Sequence, residues 1–199
     1  MITFLRRLGQ DRQGVTIVEF ALVAPALMVL LLGIFDLGYN VYTNEMLQGA
    51  IQRAARGSTI EGAEAKQASF DAIVTGEVHT VAANAVLTFD RKSYASFSRV
   101  ARPEDYSDGN ANSICDNGEP FEDANGNGKW DIDPGAAGFG GARDAVLYTV
   151  TVKYPRLVPI AAWLPGQNKD FTLKSTTVLR NQPYGVQGAP KAPPVGNCP

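Results

Sequence analysis

The chain has 199 residues, 18 Lys and Arg against 20 Asp and Glu, a formal charge of −2 and 45% hydrophobic residues. That balance excludes a polybasic nucleic-acid binder and a chain too polar to fold, and no basic patch with interleaved aromatics is present. The near-neutral total hides an acidic block: residues 104–133 hold nine acids and one base, while the rest holds seventeen bases and eleven acids.

The first element is a short basic leader, residues 1–14, in which Arg6, Arg7 and Arg12 face the single acid Asp11 before Gly14. From Val15 to Phe35 the one ionisable side chain is Glu19. As a helix this run rises about 30 Å, the thickness of a bilayer's hydrocarbon core, so one membrane crossing is predicted. Basic residues before a first apolar segment stay in the cytoplasm, which predicts export of everything downstream. A cleaved secretory signal is the alternative, but Asp36-Leu37-Gly38-Tyr39-Asn40 offers no Ala-x-Ala site and an uncleaved anchor is favoured. Glu19 costs a few kcal/mol in hydrocarbon unless something neutralises it, and so implies a partner that meets it there.

The helix is predicted to continue to Arg56 and end at Gly57. Tyr39, Tyr42, Met46, Leu47, Ala50, Ile51, Ala54 and Ala55 form its apolar face, with Asn40, Asn44, Gln48, Gln52 and Arg56 opposite. Pro25 predicts a kink. After a break at Glu61-Gly62, Phe70, Ile73, Val74, Val78, Val81 and Ala82 mark a second amphipathic helix, expected to pack on the first. Three strands follow, at 86–97, 145–154 and 171–180; in the middle one Val146, Tyr148, Val150, Val152 and Tyr154 share a face. The fold class is therefore α+β: a long membrane-spanning helix, a second helix, and a small antiparallel sheet of about three strands that the helical half covers. The organisation reads as leader 1–14, helix 15–56, exported domain 57–182 with an insertion at 101–143, and a Pro-rich tail 183–199 expected to be extended and weakly ordered. A short helix is predicted near 157–164, and no internal repeat is evident.

The insertion carries the strongest chemical motif outside the membrane segment, Asp123-Ala124-Asn125-Gly126-Asn127-Gly128-Lys129-Trp130-Asp131. Oxygen side chains at alternate positions and a glycine for the tight turn suit calcium, with ligands from Asp123, Asn125 and Asn127, the Lys129 carbonyl, and Asp131 directly or through water. The twelfth position is Pro134 rather than a bidentate glutamate, so the missing oxygens are expected from Asp116, Glu119, Glu122 or Asp133. The run from Asp116 to Asp123 resembles calcium-binding DxNxNG repeats of extracellular bacterial proteins, dockerin-like loops among them, and in that resemblance Glu119 is the preferred extra ligand. Solvated Asn-Gly turns are the alternative. A structural role is expected, since calcium would offset the block's self-repulsion. Cys115 and Cys198 both fall on the exported side, where a disulfide is permitted and expected, two free thiols being the alternative.

Nothing points to an enzyme. His79, the one histidine, lies beside the apolar stripe of the second helix, and no GxSxG elbow, P-loop or Rossmann glycine pattern is present.

The basic leader, Gly14, Glu19 and Phe20 resemble a type IV prepilin, and the longer run from Gly14 to Pro25 is similar to the TadE-like pilus assembly proteins. Arg53-Ala54-Ala55-Arg56-Gly57 and Val178-Leu179-Arg180-Asn181-Gln182-Pro183-Tyr184 add weaker likeness; the calcium-like insertion is no general mark of that family. The resemblance implies a single-pass protein of a bacterial inner membrane, amino terminus cytoplasmic and carboxy-terminal domain periplasmic, that is incorporated into or primes a filament. It implies cleavage between Gly14 and Val15 by a prepilin peptidase, and contact of Glu19 with the new terminal amine of a neighbouring subunit. Other pilin-like subunits and the Tad machinery are the implied partners. A plain single-pass anchor whose Glu19 snorkels to water is the alternative, as is a membrane-anchored calcium-binding module that binds a ligand outside any filament.

Overall fold

A computed structural model describes residues 15–59, 62, 64–158, 166, 168–183 and 193–199. The leader with Gly14, most of the short helix predicted near 157–164, and tail residues 184–192 lie outside the described residues. The chain forms two compact units, one of residues up to 42 with 156–169, the other of residues 43–155 with 170–199.

Helix α1 spans Val15–Ser58 and remains helical through Pro25. Its last carbonyls are taken by side chains, Ser58 Oγ donating to Ala55 O at 2.8 Å and Thr59 Oγ1 to Arg56 O at 3.1 Å. Gly57 permits the close approach of the next helix, since a Cβ there would lie 2.8 Å from the Phe70 ring.

In the first unit, α1 is long and apolar enough to cross a membrane, and none of its most apolar window is buried. Ile17, Phe20, Leu22 and Val23 are all exposed. Burial begins with polar residues: Asp36 and Asn40 are buried, Arg156 Nη1 donates to Asp36 Oδ2 at 2.5 Å, and Asn40 Nδ2 donates to the same oxygen at 3.3 Å. The predicted apolar face is thereby corrected. Asn40 is inside and Tyr42 is 56% exposed, because an ion pair with Arg156, 120 residues away, turns the Asp36–Asn40 side inward.

In the second unit the same helix buries Thr43, Leu47, Ala50, Ile51, Ala54 and Ala55. Helix α2, Gln67–Val81, buries Val74 and Val78, while Ile73, assigned to its apolar stripe from sequence, is 45% exposed. The inward side is set by Asp71, whose carboxylate pairs with Arg91 and accepts from Tyr148 Oη at 3.0 Å.

The sheet is antiparallel with β1 (Val86–Tyr94), β3 (Ala136–Ala137), β4 (Ala145–Pro155) and β5 (Asp170–Arg180) in the order β3-β1-β4-β5. Tyr148, Val150, Val152 and Tyr154 of β4 are at most 2% exposed, as the period-2 alternation requires of one face. A second, two-stranded sheet pairs β2 (Pro120–Glu122) with β6 (Val195–Asn197). The end of the tail is thus ordered, against expectation. Gly196 lies over Phe121, where a Cβ would come within 2.5 Å of the ring, and Cys198 is joined to Cys115 in a disulfide with Cα atoms 5.3 Å apart.

Candidate functional site

Two regions carry the predicted functional residues. In the first, Val15 opens α1 and Glu19 lies one turn on, exposed, with no side-chain partner among the described residues. Ile17, Val18 and Phe20 around it are exposed apolar side chains, so this turn presents one carboxylate on a hydrocarbon-compatible surface.

The second region is the insertion, and its structure reveals a repeat missed in the sequence. Fifteen residues separate Glu104 from Glu119, Tyr106 from Phe121, Asp108 from Asp123, Asn110 from Asn125, Asn112 from Asn127 and Asp116 from Asp131. Each copy folds the same way. In the second loop, Asp123 Oδ1 accepts from the N–H groups of Gly126 and Asn127 at 2.7 and 3.0 Å, and Oδ2 from Gly128 at 2.8 Å. In the first, Asp108 accepts from Asn112 N at 3.1 Å and Ser113 N at 2.8 Å. Asn125 and Asn127 both donate to Asp131 Oδ2, at 2.8 and 2.6 Å, as Asn110 and Asn112 donate to Asp116, each at 3.0 Å. The fourth and sixth positions of both loops have positive φ: Gly126 (73°) and Gly128 (75°) in one, Ala111 (58°) and Ser113 (62°) in the other.

The two glutamates are exchanged between the copies. Glu119 closes the first loop, accepting from Gly109 N at 2.7 Å and Asp116 N at 3.4 Å. Glu104 closes the second, accepting from Ala124 N at 2.7 Å and Asp131 N at 2.9 Å. The repeats meet at an antiparallel bridge between Tyr106 and Phe121, where Ser107 N donates to Pro120 O at 2.9 Å and Glu122 N to Asp105 O at 2.8 Å. Cys115, Phe121 and Cys198 form the small core of this region, with Tyr106 and Trp130 packed against it. The tail secures both loops: Cys198 N donates to Glu119 O at 2.8 Å and Asp123 N to Pro194 O at 2.9 Å.

The structure thus brings Asp123, Asn125, Asn127 and Asp131 together, with Lys129 N donating to Asn127 Oδ1 at 2.7 Å. It places Asp116 and Glu119 in the other loop, with Asp108, Asn110 and Asn112, which the sequence reading missed. Asp133 belongs to neither; it accepts from Lys92 Nζ at 2.5 Å and Tyr94 Oη at 2.7 Å. Among the described residues no three His, Cys, Asp or Glu side chains form a ready metal cluster. The donors are mixed instead, two aspartates and two asparagines per loop with one glutamate against the loop's N–H groups, and Glu104, Glu119 and Asp123 are at least nine-tenths buried with backbone N–H groups as partners. A carboxylate offers about four lone-pair sites, and the N–H groups fill two at Glu104 and three at Glu119 and Asp123, so each keeps room for a cation.

The Asp133 contacts predict a pH dependence. Burial opposes ionisation of Asp133, but hydrogen bonds from Lys92, Tyr94 and the Gly135 N–H outweigh it and hold the carboxyl below its ordinary value. A hydrogen bond to Asp133 raises the Lys92 ammonium, and burial followed by the bond to Asp133 pushes the Tyr94 hydroxyl up to about 12. A depressed acid contributes stability above its unfolded value of about 3.9 and loses it as pH falls through the folded value; the raised Lys92 and Tyr94 contribute below about 10 and lose it as pH rises. Urea midpoints of wild type and Asp133→Asn are therefore expected to differ near pH 7 and converge in acid below about pH 4. The difference should be modest, because Lys92 and Asp133 are 37% and 34% exposed. A gap that persists unchanged into acid would remove the ionic account.

The arrangement defines a class: one helix of membrane-spanning length that leads into an α+β domain with an antiparallel sheet and a disulfide-tied acidic insertion. Its amino-terminal segment is TadE-like. Residues 14–56 match the family described as TadE-like protein, which bears out the resemblance carried by Gly14 to Pro25. The Val178–Tyr184 run and the insertion lie outside the matched residues. No curated protein and no solved structure gives a significant match.

Proposed function

We propose that this chain is a membrane-anchored pseudopilin or minor pilin of a Tad-type pilus apparatus, an assembly component rather than a catalyst, whose periplasmic domain is stiffened by calcium. The TadE-like match over residues 14–56 carries the reading, because it starts at the glycine of the cleavage motif and runs the length of the apolar helix. In this reading a prepilin peptidase cuts after Gly14, and Glu19, exposed one turn into α1, receives the amine of Val15 from a neighbouring subunit. The leader stays cytoplasmic and the domain faces the periplasm, where pilin-like subunits and the Tad machinery meet it. Mass spectrometry on membranes tests the processing: chains beginning at Val15 are expected in peptidase-positive cells and full-length chains in peptidase-null cells. Full-length chains in both would end the pilin reading.

Calcium fits the donors of both loops. The first offers hard oxygens in EF-hand order, Asp108, Asn110, Asn112, the Ile114 carbonyl, Asp116 and Glu119; the second offers Asp123, Asn125, Asn127, the Lys129 carbonyl and Asp131 in that order, with Glu104 from outside the loop in place of the twelfth residue, Pro134. Calcium supplies charge neutralisation, and the chain supplies a loop whose tight turns and buried glutamate are already in place. The alternative, a membrane-anchored calcium-binding module outside any filament, shares this chemistry and is separated from the pilin reading by processing alone.

A further inference from the structure

The outer edge of the main sheet matches itself. β5 pairs with β4 along its whole length, and among the described residues no strand lies on its other side. An eleven-residue edge presents a row of N–H and C=O groups ready to pair with another chain. Cover is incomplete here on the core side as well. Val150, Val152 and Tyr154 are at most 2% exposed, yet their cross-strand neighbours Ser175, Leu173 and Phe171 are only half-buried. Helix α1 does not seal this margin, since a cavity of about 320 Å³ lies between Gln48, Ile51 and Gln52 and strand residues 174–177.

Antiparallel self-pairing centred on Ser175 sets Asp170 opposite Arg180 at both ends, Phe171 opposite Leu179, and Thr172 opposite Val178. Opposite charges and apolar pairs directly across a ladder are favourable, and a two-fold contact makes each of them twice. Asp170 already pairs with Lys153 at 3.1 Å, so Arg180 of a second copy would join a row of alternating charge. Lys174, the charge that guards the middle of the edge, falls opposite Thr176 rather than another lysine. We propose that two copies of this chain associate by two-fold pairing of their β5 strands into one continuous sheet. The proposal is independent of leader processing and of calcium.

Cysteine cross-linking of the full-length chain in native membranes tests it, the native cysteines being joined to each other. Ser175→Cys, at the two-fold centre, is expected to give a disulfide-linked homodimer under mild oxidation, well above Thr172→Cys on the same strand and Val86→Cys on β1. Adding Arg180→Asp should lower the Ser175→Cys dimer several-fold, and Asp170→Arg with Arg180→Asp should restore it. Three results would overturn the proposal: Ser175→Cys linking no better than Val86→Cys, Ser175→Cys linking to a different protein instead, or a charge swap that fails to restore the dimer.

Discussion

Asp71→Ala is expected to lower the stability of the folded chain by about 3–5 kcal/mol, the cost of leaving one partner of a buried ion pair without the other. Arg91 is 8% exposed; its guanidinium carbon lies 4.3 Å from the Tyr148 ring centroid and 5.0 Å from that of Phe139. Aromatic faces on this scale favour a cation, but they do not replace a carboxylate. Asp71 supplies it from α2, and its second duty is to accept the Tyr148 hydroxyl, whose ionisation burial pushes well above the ordinary tyrosine range. Loss of Asp71 therefore strands a charge and a hydroxyl together, at the point where α2 meets both β1 and β4. Asp71→Asn keeps acceptor and shape and should cost less. Replacing all three groups, Asp71→Leu with Arg91→Met and Tyr148→Phe, should recover most of the loss, since an apolar cluster of similar volume is often as stable as the ionic one and leaves no hydroxyl stranded. Urea denaturation of the detergent-solubilised chain, followed by near-ultraviolet dichroism, reads all three variants. A cost below about 1 kcal/mol for Asp71→Ala would mean that the pair is solvated rather than buried.

What could be read from the chain follows the local or long-range origin of each signal. The apolar run from Val15 to Phe35 and the alternation of Val146 to Tyr154 are local, and both appear in the structure as α1 and β4. The orientation of helix faces is not local. Asn40 and Asp71 turn inward because Arg156 and Arg91 wait for their sides of the helices, and no periodicity of apolar residues records that. The second loop announced itself through Gly126 and Gly128, which hold positive φ without strain, whereas the first holds it at Ala111 and Ser113 and so hides its kinship. Alignment of the chain against itself at a fifteen-residue offset would have found the pair. The partner of the second loop is hidden in another way: Pro134 stands where a glutamate is expected, and Glu104, nineteen residues before Asp123, takes over its contacts. The tail's prolines pointed to an extended end, and Val195–Asn197 is a strand, but its pairing with β2 depends on Cys198 and on the missing side chain of Gly196.

Calcium titration of the full-length chain in detergent is expected to show two bound ions and a large rise in melting temperature. At a free concentration of about 100 times Kd, each ion that binds only the folded state adds ~2.7 kcal/mol, so two filled loops add about twice that. The exchange of glutamates makes the variant pattern specific. Glu104→Gln should remove the ion held by Asp123, Asn125, Asn127 and Asp131, although Glu104 precedes both loops in sequence, and Glu119→Gln should remove the ion of the Asp108 loop, although Glu119 adjoins Asp123 more closely than Asp108 does. Glutamine is the variant of choice because Glu104 also accepts from the Ala124 and Asp131 N–H groups, which alanine would leave buried and unpaired. Asp123→Asn and Asp108→Asn, which keep an acceptor for the loop N–H groups, should reproduce the two losses separately, and Asp133→Asn should leave the stoichiometry at two, because that carboxylate serves Lys92 and Tyr94. Magnesium, which demands a tighter octahedral shell and gives up water reluctantly, should not substitute. The absence of both binding heat and any calcium-dependent melting shift would reduce the insertion to a pair of Asn-rich turns held by their own amides. A single ion lost equally in Glu104→Gln and Glu119→Gln would instead mean that the two repeats enclose one shared site.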